Sequence, residues 1–443
     1  MDSKQSLFTL IQAPEQGIYI AMKAPSLPYL LEWEFEQHPG LVQSVNENVP
    51  RSPEISGLPV HLDAGTIHFI FAHPHSTFTL APVEVRPYSG DWHAGVDIYK
   101  AWRATWFQQP YLPDWVQRVH SWLQLQENGA EEDYSIPYRD LDQYIDECAK
   151  NGVKAIQLVG WNRGGQDRGD PSQDTDPNLG TWQELRNAIG HAQSEGVKMI
   201  LFAKLCWADL TTNWYRQELY KFAATDPYGI QYETNGYSYT TPTQLAGINN
   251  RRRAIMDVDS PTYRDLATHE FRKLLALHPD GWLFDEVCHH GPVEYSFSPD
   301  HGYTPPGFIY AGDMPFAKEM REAADQFSPD FLFAGEGPQD WLMQYYPVSY
   351  FRIGGGAVPV ARYIDPWAPL MVAVTGIDDR EKLNLILMDR YIISYEPYNF
   401  KGHLTDFPLM LAYGQKIDAL RRKYQSWLWD AEFRDTLGAD RIK

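Results

Sequence analysis

Two acids stand where chemistry is done. Asp285 closes the apolar run Gly281-Trp282-Leu283-Phe284, and Glu336 closes Phe331-Leu332-Phe333-Ala334-Gly335. An apolar run that breaks off in an acid reads as a strand delivering an ionisable group at its carboxyl end, the end at which parallel barrels place their active sites. Side chains alternate along a strand, so Leu283, Asp285 and Val287 share one face, while Trp282, Phe284 and Glu286 share the other. The aromatic face suits a helix layer. Asp285 is therefore expected inside the barrel at its mouth, with Glu286 turned sideways toward the loops. In the second run Leu332, Ala334 and Glu336 share a face in the same way. Neighbouring strands lie ~4.8 Å apart, so carboxylates at one height on two of them reach the ~5–5.5 Å separation of a retaining glycosidase. One acid, Asp285, would attack the anomeric carbon. The other, Glu336, would protonate the leaving oxygen and then activate water, its pKa raised by the like charge beside it.

Other side chains fall into place around this pair. Glu396 ends Tyr391-Ile392-Ile393-Ser394-Tyr395 and is expected across the mouth, bonding sugar hydroxyls or anchoring a loop. Lys204 lies in an apolar strand, where a charge cannot face the helix layer, so it is expected to point into the barrel. Trp161 and Asn162 end another strand; Trp161 reads either as a stacking surface for sugar or as core, and Asn162 as a hydroxyl ligand. Trp207, Glu286 and His289 complete the expected substrate-binding set, His289 bonding substrate or orienting a carboxylate. The loop Gln166–Asn178 carries Asp167, Asp170, Asp174 and Asp176 but lacks the glycine and terminal glutamate of an EF-hand loop, so it reads as a solvated loop facing substrate. Cys206, Cys288, His289, His290 and His301 have no structural-zinc spacing. No metal and no cofactor are expected: the chain has no G-x-G-x-x-G after a strand, no P-loop, no G-x-S-x-G and no H-E-x-x-H.

Composition narrows the class. A net charge of −20 speaks against nucleic acid and anionic membranes as partners. With 15 Trp and 27 Tyr the chain is rich in flat faces with a polar tip, which suit sugar rings. Three cysteines without a C-x-x-C pair do not make a disulfide framework. No apolar run approaches the ~20 residues of a membrane span. The opening Met-Asp-Ser-Lys-Gln shows no signal-peptide-like region, which points to the cytoplasm unless the chain is a trimmed piece of a secreted protein.

These side chains must be positioned by a repeating frame. Residues 1–115 carry short apolar or alternating runs punctuated by Pro and Gly, and predict an antiparallel β-sandwich, complete or partial, followed by a helix over 94–107. From Val116 strands alternate with helices. Strands are expected over 118–126, 153–161, 197–207, 281–287, 331–335, 349–353 and 391–396, with an eighth within 425–433. A helix over 181–194 opens on a capping box, Thr181 with Glu184. Alternation on this scale predicts an α/β fold, a (β/α)8 TIM barrel over 116–443, rather than an open sheet. Two connections, 208–257 and 289–312, are long enough to be binding loops.

Asp-Gly-Trp-Leu-Phe-Asp285-x-x-x-His289, a helix, then Phe-Ala-Gly-Glu336 resembles the α-amylase-like and endo-α-N-acetylgalactosaminidase-like glycoside hydrolases. Ile255-Met256-Asp257-Val258-Asp259-Ser260-Pro261 is similar to segments of those barrels too, and Val153–Asn162 with Gly196–Trp207 is similar to α-galactosidases. As a whole, residues 116–425 look most like an uncharacterised group of bacterial glycoside-hydrolase-like barrels. The resemblance implies a retaining α-glycosidase acting on an oligosaccharide or glycoside, with an Asp nucleophile ending strand four and a Glu acid/base ending strand five. It also shows departures. The amylase pattern has an Arg two before the nucleophile, where Leu283 stands, and an Asp-His in strand three, where Lys204-Leu205-Cys206-Trp207 stands. Starch is therefore not the expected substrate, and the positive partner of Asp285 is sought in Lys204 and Arg352. Competing readings are a lyase, isomerase or transglycosylase using the same acids, a β-glycosidase using Glu286 and Glu396, and a non-catalytic carbohydrate-binding barrel.

Overall fold

Eight parallel strands close into a barrel in the computed structural model, which describes residues 6–39, 60–72, 74–129, 133–235, 246, 252–287, 290, 293, 295–337, 339–351 and 359–435. In chain order the barrel strands are Ser121–Gln126, Ala155–Val159, Lys198–Ala203, Gly281–Phe284, Leu332–Glu336, Val348–Phe351, Leu370–Val374 and Ile392–Tyr395, here called strands one to eight. Each pairs with its neighbours in the chain, and strand eight closes on strand one.

Strands one to six lie where the sequence pattern puts them. The last two do not. Leu370-Met371-Val372-Ala373-Val374 is a short apolar run whose strand character goes unmarked between Pro369 and Gly376, and it forms strand seven. The run ending in Glu396 is consequently strand eight, and the expected eighth strand within 425–433 holds instead a short helix, Gln425–Leu428.

Alternation decides the interior. Ile200 and Phe202, Leu283, Leu332 and Ala334, Val348, Met371 and Ala373, and Ile392 fill it with Trp122, Ala155 and Val159. The opposite faces carry aromatic rings against the helices. Trp282 meets Phe271 of the helix Pro261–Ala276, and Phe284 meets Phe316 of the helix Asp313–Asp325. Each such ring removed from water contributes ~1.5–3 kcal/mol. The helix Trp182–Ser194 begins on the expected capping box: the Thr181 hydroxyl accepts from the Glu184 amide at 3.2 Å, and the Glu184 carboxylate accepts from the Thr181 amide at 2.6 Å. The long connection after strand three is partly regular, with Trp207–Asp209, Glu233–Asn235 and Arg252–Ile255 forming a three-stranded antiparallel sheet. No helix among the described residues is long and apolar enough to cross a membrane.

The chain divides into two compact units, one of Leu7–Tyr99 and one holding the barrel from Lys100 onward. The smaller is antiparallel β, with Phe8–Gln12, Gln16–Met22 and Val83–Ser89 in one sheet and Leu30–Pro39 paired with Val60–Phe69 in another. Among the described residues these sheets have three and two strands. The helix expected over 94–107 runs Trp92–Arg103 across the division.

Candidate active site

Register alone assembles the charged cluster. Leu283 lies opposite Phe202 of strand three on one side and Ala334 of strand five on the other. Those three fill one interior layer. Two residues further along each strand, the next inward positions are Lys204, Asp285 and Glu336, so the apolar layer is capped by a cation and two acids at one height. The ladder continues just past strand four, where the Asp285 amide donates to the Ala203 carbonyl at 3.0 Å, and this keeps Asp285 on the interior face.

Parity fails at the next residue. Glu286 has a φ of 54°, in the left-handed region, which ends the alternation and swings its side chain back over the mouth instead of out toward the loops. Its Oε2 lies 3.3 Å from the Lys204 ammonium, and its amide donates to Glu336 Oε2 at 3.3 Å. Lys204 is 1% exposed and meets Asp285 Oδ2 at 2.9 Å and Asp167 Oδ1 at 2.7 Å. Burial opposes the lysine charge, but Asp167, Asp285 and Glu286 together more than offset it and hold the ammonium well above the usual lysine range.

The acids respond to one another. The charge of Asp285 pushes Glu336 well above the ordinary glutamate range, with burial, a hydrogen bond to Asp285 and the charge of Glu286 adding to it and Lys204 opposing. Burial, more than the charge of Asp285, raises Glu286 to about 7 despite Lys204. The proton on Glu336 is thus held more tightly than on an ordinary glutamate, while Asp285 is bound by the ammonium. Asp285 and Glu336 are near enough for a hydrogen bond between them to contribute to the raised pKa of Glu336.

The acidic loop is not the solvated segment its composition suggests. Asp167 is buried and takes Lys204 on one side and the Arg253 guanidinium at 2.7 Å on the other. Asp170 is buried beside them, and burial pushes its carboxyl well up. Asp176 accepts from the Gly164 and Asn178 amides, and Asp174 pairs with Lys273. Among the described residues no cluster of three or more His, Cys, Asp or Glu side chains is arranged to hold a metal ion.

A small cavity of about 60 Å³ lies at the mouth, lined by Asp285, Glu286, Glu336, Gln124, Gln157 and Tyr350 together with Val159, Phe202, Leu283, Gln166 and Phe400. Glu396 sits behind this lining. It is 1% exposed, and its Oε1 accepts from the Tyr350 hydroxyl at 2.6 Å, the Gln124 amide at 3.0 Å and the Ser394 hydroxyl at 3.3 Å. Trp161 is 0% exposed and donates its indole N–H to the Phe202 carbonyl, so it is core and has no face left for a sugar. Asn162 is buried and donates to the Ser172 carbonyl, tying down the acidic loop rather than reaching a ligand. Trp207 is buried between the cations, its ring 3.6 Å from the Arg253 guanidinium and 4.8 Å from the Lys204 ammonium. His289 and Arg352, the remaining expected members, lie outside the described residues.

Three participants have no place in the sequence-based set, Arg253, Gln124 and Gln157, and Asp167 enters it as an ion-pair partner rather than as part of a solvated loop. Arg253 brings a guanidinium to Asp167, and it comes from the sheet formed by the long excursion after strand three. Gln157 could have been found by the parity applied to the acids, since it is the one polar position of Ala155–Val159, and Gln124 is its partner on strand one. Behind the site His290 pairs with Asp313 at 2.7 Å and borders Cys206, a contact between distant segments that spacing does not reveal.

A family model described as a domain of unknown function (DUF6259) matches residues 81–352. No curated protein matches the chain. Among solved structures, the ligand-free alpha-N-acetylgalactosaminidase NagBb from Bifidobacterium bifidum superposes with a TM-score of 0.66 at 12% identity, over 95% of this chain and 68% of that one. A GH31 family sulfoquinovosidase from E. rectale gives 0.57 at 11% identity, over 94% and 59%. The GH36 alpha-galactosidase AgaA from Geobacillus stearothermophilus gives 0.53 at 12% identity, over 97% and 58%. At such identity the likeness is one of fold, a barrel shared with glycoside hydrolases longer than this chain.

Proposed function

The chain belongs to the DUF6259 family, and from the acid pair at its barrel mouth we propose that it is a glycoside hydrolase cleaving an α-linked glycoside with retention, Asp285 acting as nucleophile and Glu336 as acid/base. The observation that carries this reading is the split between two acids in contact. The pKa of Glu336 is raised, chiefly by the charge of Asp285, and Asp285 lies 2.9 Å from the ammonium of a buried lysine. A general acid and a nucleophile at neutral pH need that division. The α linkage is taken from the neighbours, two of which are named for α-glycosides.

In the proposed reaction Asp285 attacks the anomeric carbon, the bond to the leaving oxygen breaks, and Glu336 gives that oxygen its proton. Glu336, now a carboxylate, takes a proton from water. The water oxygen attacks the anomeric carbon, Asp285 leaves, and both acids return to their starting states. Lys204 favours the departure of Asp285 as a carboxylate. Glu336 lies between Gly335 and Gly337, the latter with a φ of 53°, so no neighbouring side chain crowds the approach to it.

The β-glycosidase reading, with Glu286 and Glu396, loses ground because Glu396 does not line the cavity and its Oε1 already takes three donors. The deciding experiment is hydrolysis of nitrophenyl α- and β-glycosides by the wild type, Asp285→Asn and Glu336→Gln, with the anomer first released read by NMR. Turnover of an α-glycoside with retention, lost in both variants, is expected. Undiminished turnover in either variant removes the assignment, and an inverted product removes the mechanism.

A further inference from the structure

The floor of the cavity contains a chain of amides whose orientation is dictated from one end. Glu396 Oε1 takes hydrogen bonds from Tyr350, Gln124 and Ser394, and an oxygen serving three donors is an acceptor. Gln124 must therefore turn its NH2 toward Glu396. That NH2 also donates to the Ser394 hydroxyl at 2.7 Å, so both its hydrogens are used. The Gln124 carbonyl oxygen is left facing strand two, where the Gln157 NH2 donates to it at 3.2 Å. Gln157 is thereby turned as well, and its own Oε1 is left over.

Gln157 is 2% exposed, lines the same cavity as Asp285 and Glu336, and its Oε1 has no hydrogen-bond partner. A buried amide oxygen without a donor costs ~1–3 kcal/mol, and such a group in a native protein calls for a water, an ion or a functional role to account for it. Gln124 and Gln157 lie directly opposite each other on strands one and two, so the arrangement is fixed by the barrel rather than by a loop.

We infer that Gln157 is the residue by which this site selects its sugar: its amide oxygen accepts a hydrogen bond from a hydroxyl or amide N–H of a neutral, terminal glycone, and Glu396, acting through Gln124, sets that polarity. The inference rests on the proposed function in taking this cavity as the place where the glycone binds. An anionic or ether substituent at the same position would set acceptor against acceptor and be refused. Gln157 is a recognition residue and Glu396 a positioning residue. Neither is assigned a part in bond breaking.

The test takes a glycoside that the wild type hydrolyses and replaces each ring hydroxyl in turn by hydrogen and by fluorine. Hydrogen removes both donor and acceptor; fluorine removes the donor alone. At one position both replacements are expected to lower kcat/KM by about 10- to 100-fold in the wild type. In Gln157→Met the parent substrate is expected to fall by a similar factor, mostly through KM, and the two analogues no further. In Glu396→Gln, where Gln124 and Gln157 are free to turn over, the penalty for fluorine relative to the parent is expected to shrink. Equal penalties in wild type and Gln157→Met overturn the inference while leaving the hydrolase standing. So does a wild-type series with no position sensitive to fluorine, a result that needs no variant to fold. If the wild type hydrolyses nothing, the proposed function fails, and calorimetric binding of the same free sugars decides: discrimination lost in Gln157→Met upholds the inference, and no binding overturns it.

Discussion

Glu336 and Glu396 are the same residue type at the same kind of place, the carboxyl end of a barrel strand, and their surroundings are opposite. Glu396 is met by three neutral donors from Tyr350, Gln124 and Ser394. Glu336 is met by one backbone amide and two further acids, and is pushed well up by them. One side of the mouth satisfies its carboxylate and uses it as scaffold. The other keeps its carboxyl discontented, which makes a proton available to a leaving group. A strand-end acid is therefore no active-site marker by itself; what matters is whether its neighbours are donors or competitors.

The sharpest test of the reactive side is Asp285→Asn. If Asp285 forms the bond to the sugar, activity on a nitrophenyl glycoside falls by about 10⁴-fold or more, since a neutral amide cannot replace the nucleophile. A loss of less than tenfold would make the two sides of the mouth equivalent and dissolve the contrast.

Lys204 is the next largest expected effect. It is the common partner of Asp167, Asp285 and Glu286, and removing one member of a buried ion pair leaves charges uncompensated. Lys204→Met is expected to lower stability by ~3–5 kcal/mol, read by urea unfolding at pH 7. Arg253 still holds Asp167 in that variant, so the lower end of the range is the expected one. A variant as stable as the wild type would mean that the acids have simply taken up protons, and that the cluster does not depend on its cation.

The two glutamates should answer one substitution with opposite signs. Glu396→Gln takes an acceptor from three donors and is expected to destabilise by ~1–3 kcal/mol. Glu336→Gln removes an acid whose folded pKa is raised. Such a group binds its proton more tightly in the folded state, so its contribution is full below the unfolded value of 4.5 and is lost as pH rises through the folded value. Above that window the wild type has given up this contribution and the glutamine has not. Glu336→Gln is therefore expected to gain on the wild type as pH rises, with melts from pH 5 upward showing a difference that grows with pH, to roughly 0.5–2 kcal/mol. Two shifts of the same sign would erase the distinction between scaffold and reactive acid.

Much of this contrast was written in the sequence. The inward positions of Lys204, Asp285 and Glu336 follow from a period of two, because strands four and five keep that period as far as the charged residue. What was lost has identifiable causes. Glu286 leaves its expected direction because one residue in a left-handed conformation reverses the chain, and propensity does not single out a glutamate there. Strand seven is five apolar residues, too short for periodicity to separate strand from buried helix. Trp161 became core because its indole found a backbone carbonyl on strand three, a partner 41 residues away. Arg253 and Asp167 meet across 86 residues, through a loop and an excursion with no repeating pattern to align them.

The smallest expected effect tests how finely the reactive side is tuned. Glu286 sits at about 7 and contributes to the raised pKa of Glu336, so the two titrate as neighbours. Because the proposed acid must carry its proton, kcat/KM is expected to fall as pH rises through the Glu336 pKa, giving an alkaline limb. Removing the negative charge of Glu286 withdraws one cause of that elevation and leaves Lys204 with one partner fewer. Both changes lower the Glu336 pKa. Glu286→Gln should therefore move the alkaline limb to lower pH, by roughly one unit or less, with activity kept on the acid side. Tyr350→Phe, made on the scaffold side, should leave the limb where it is. A limb that moves with Tyr350 and not with Glu286 would show that the proton on Glu336 is governed from across the mouth, and the division between the two sides would have to be redrawn.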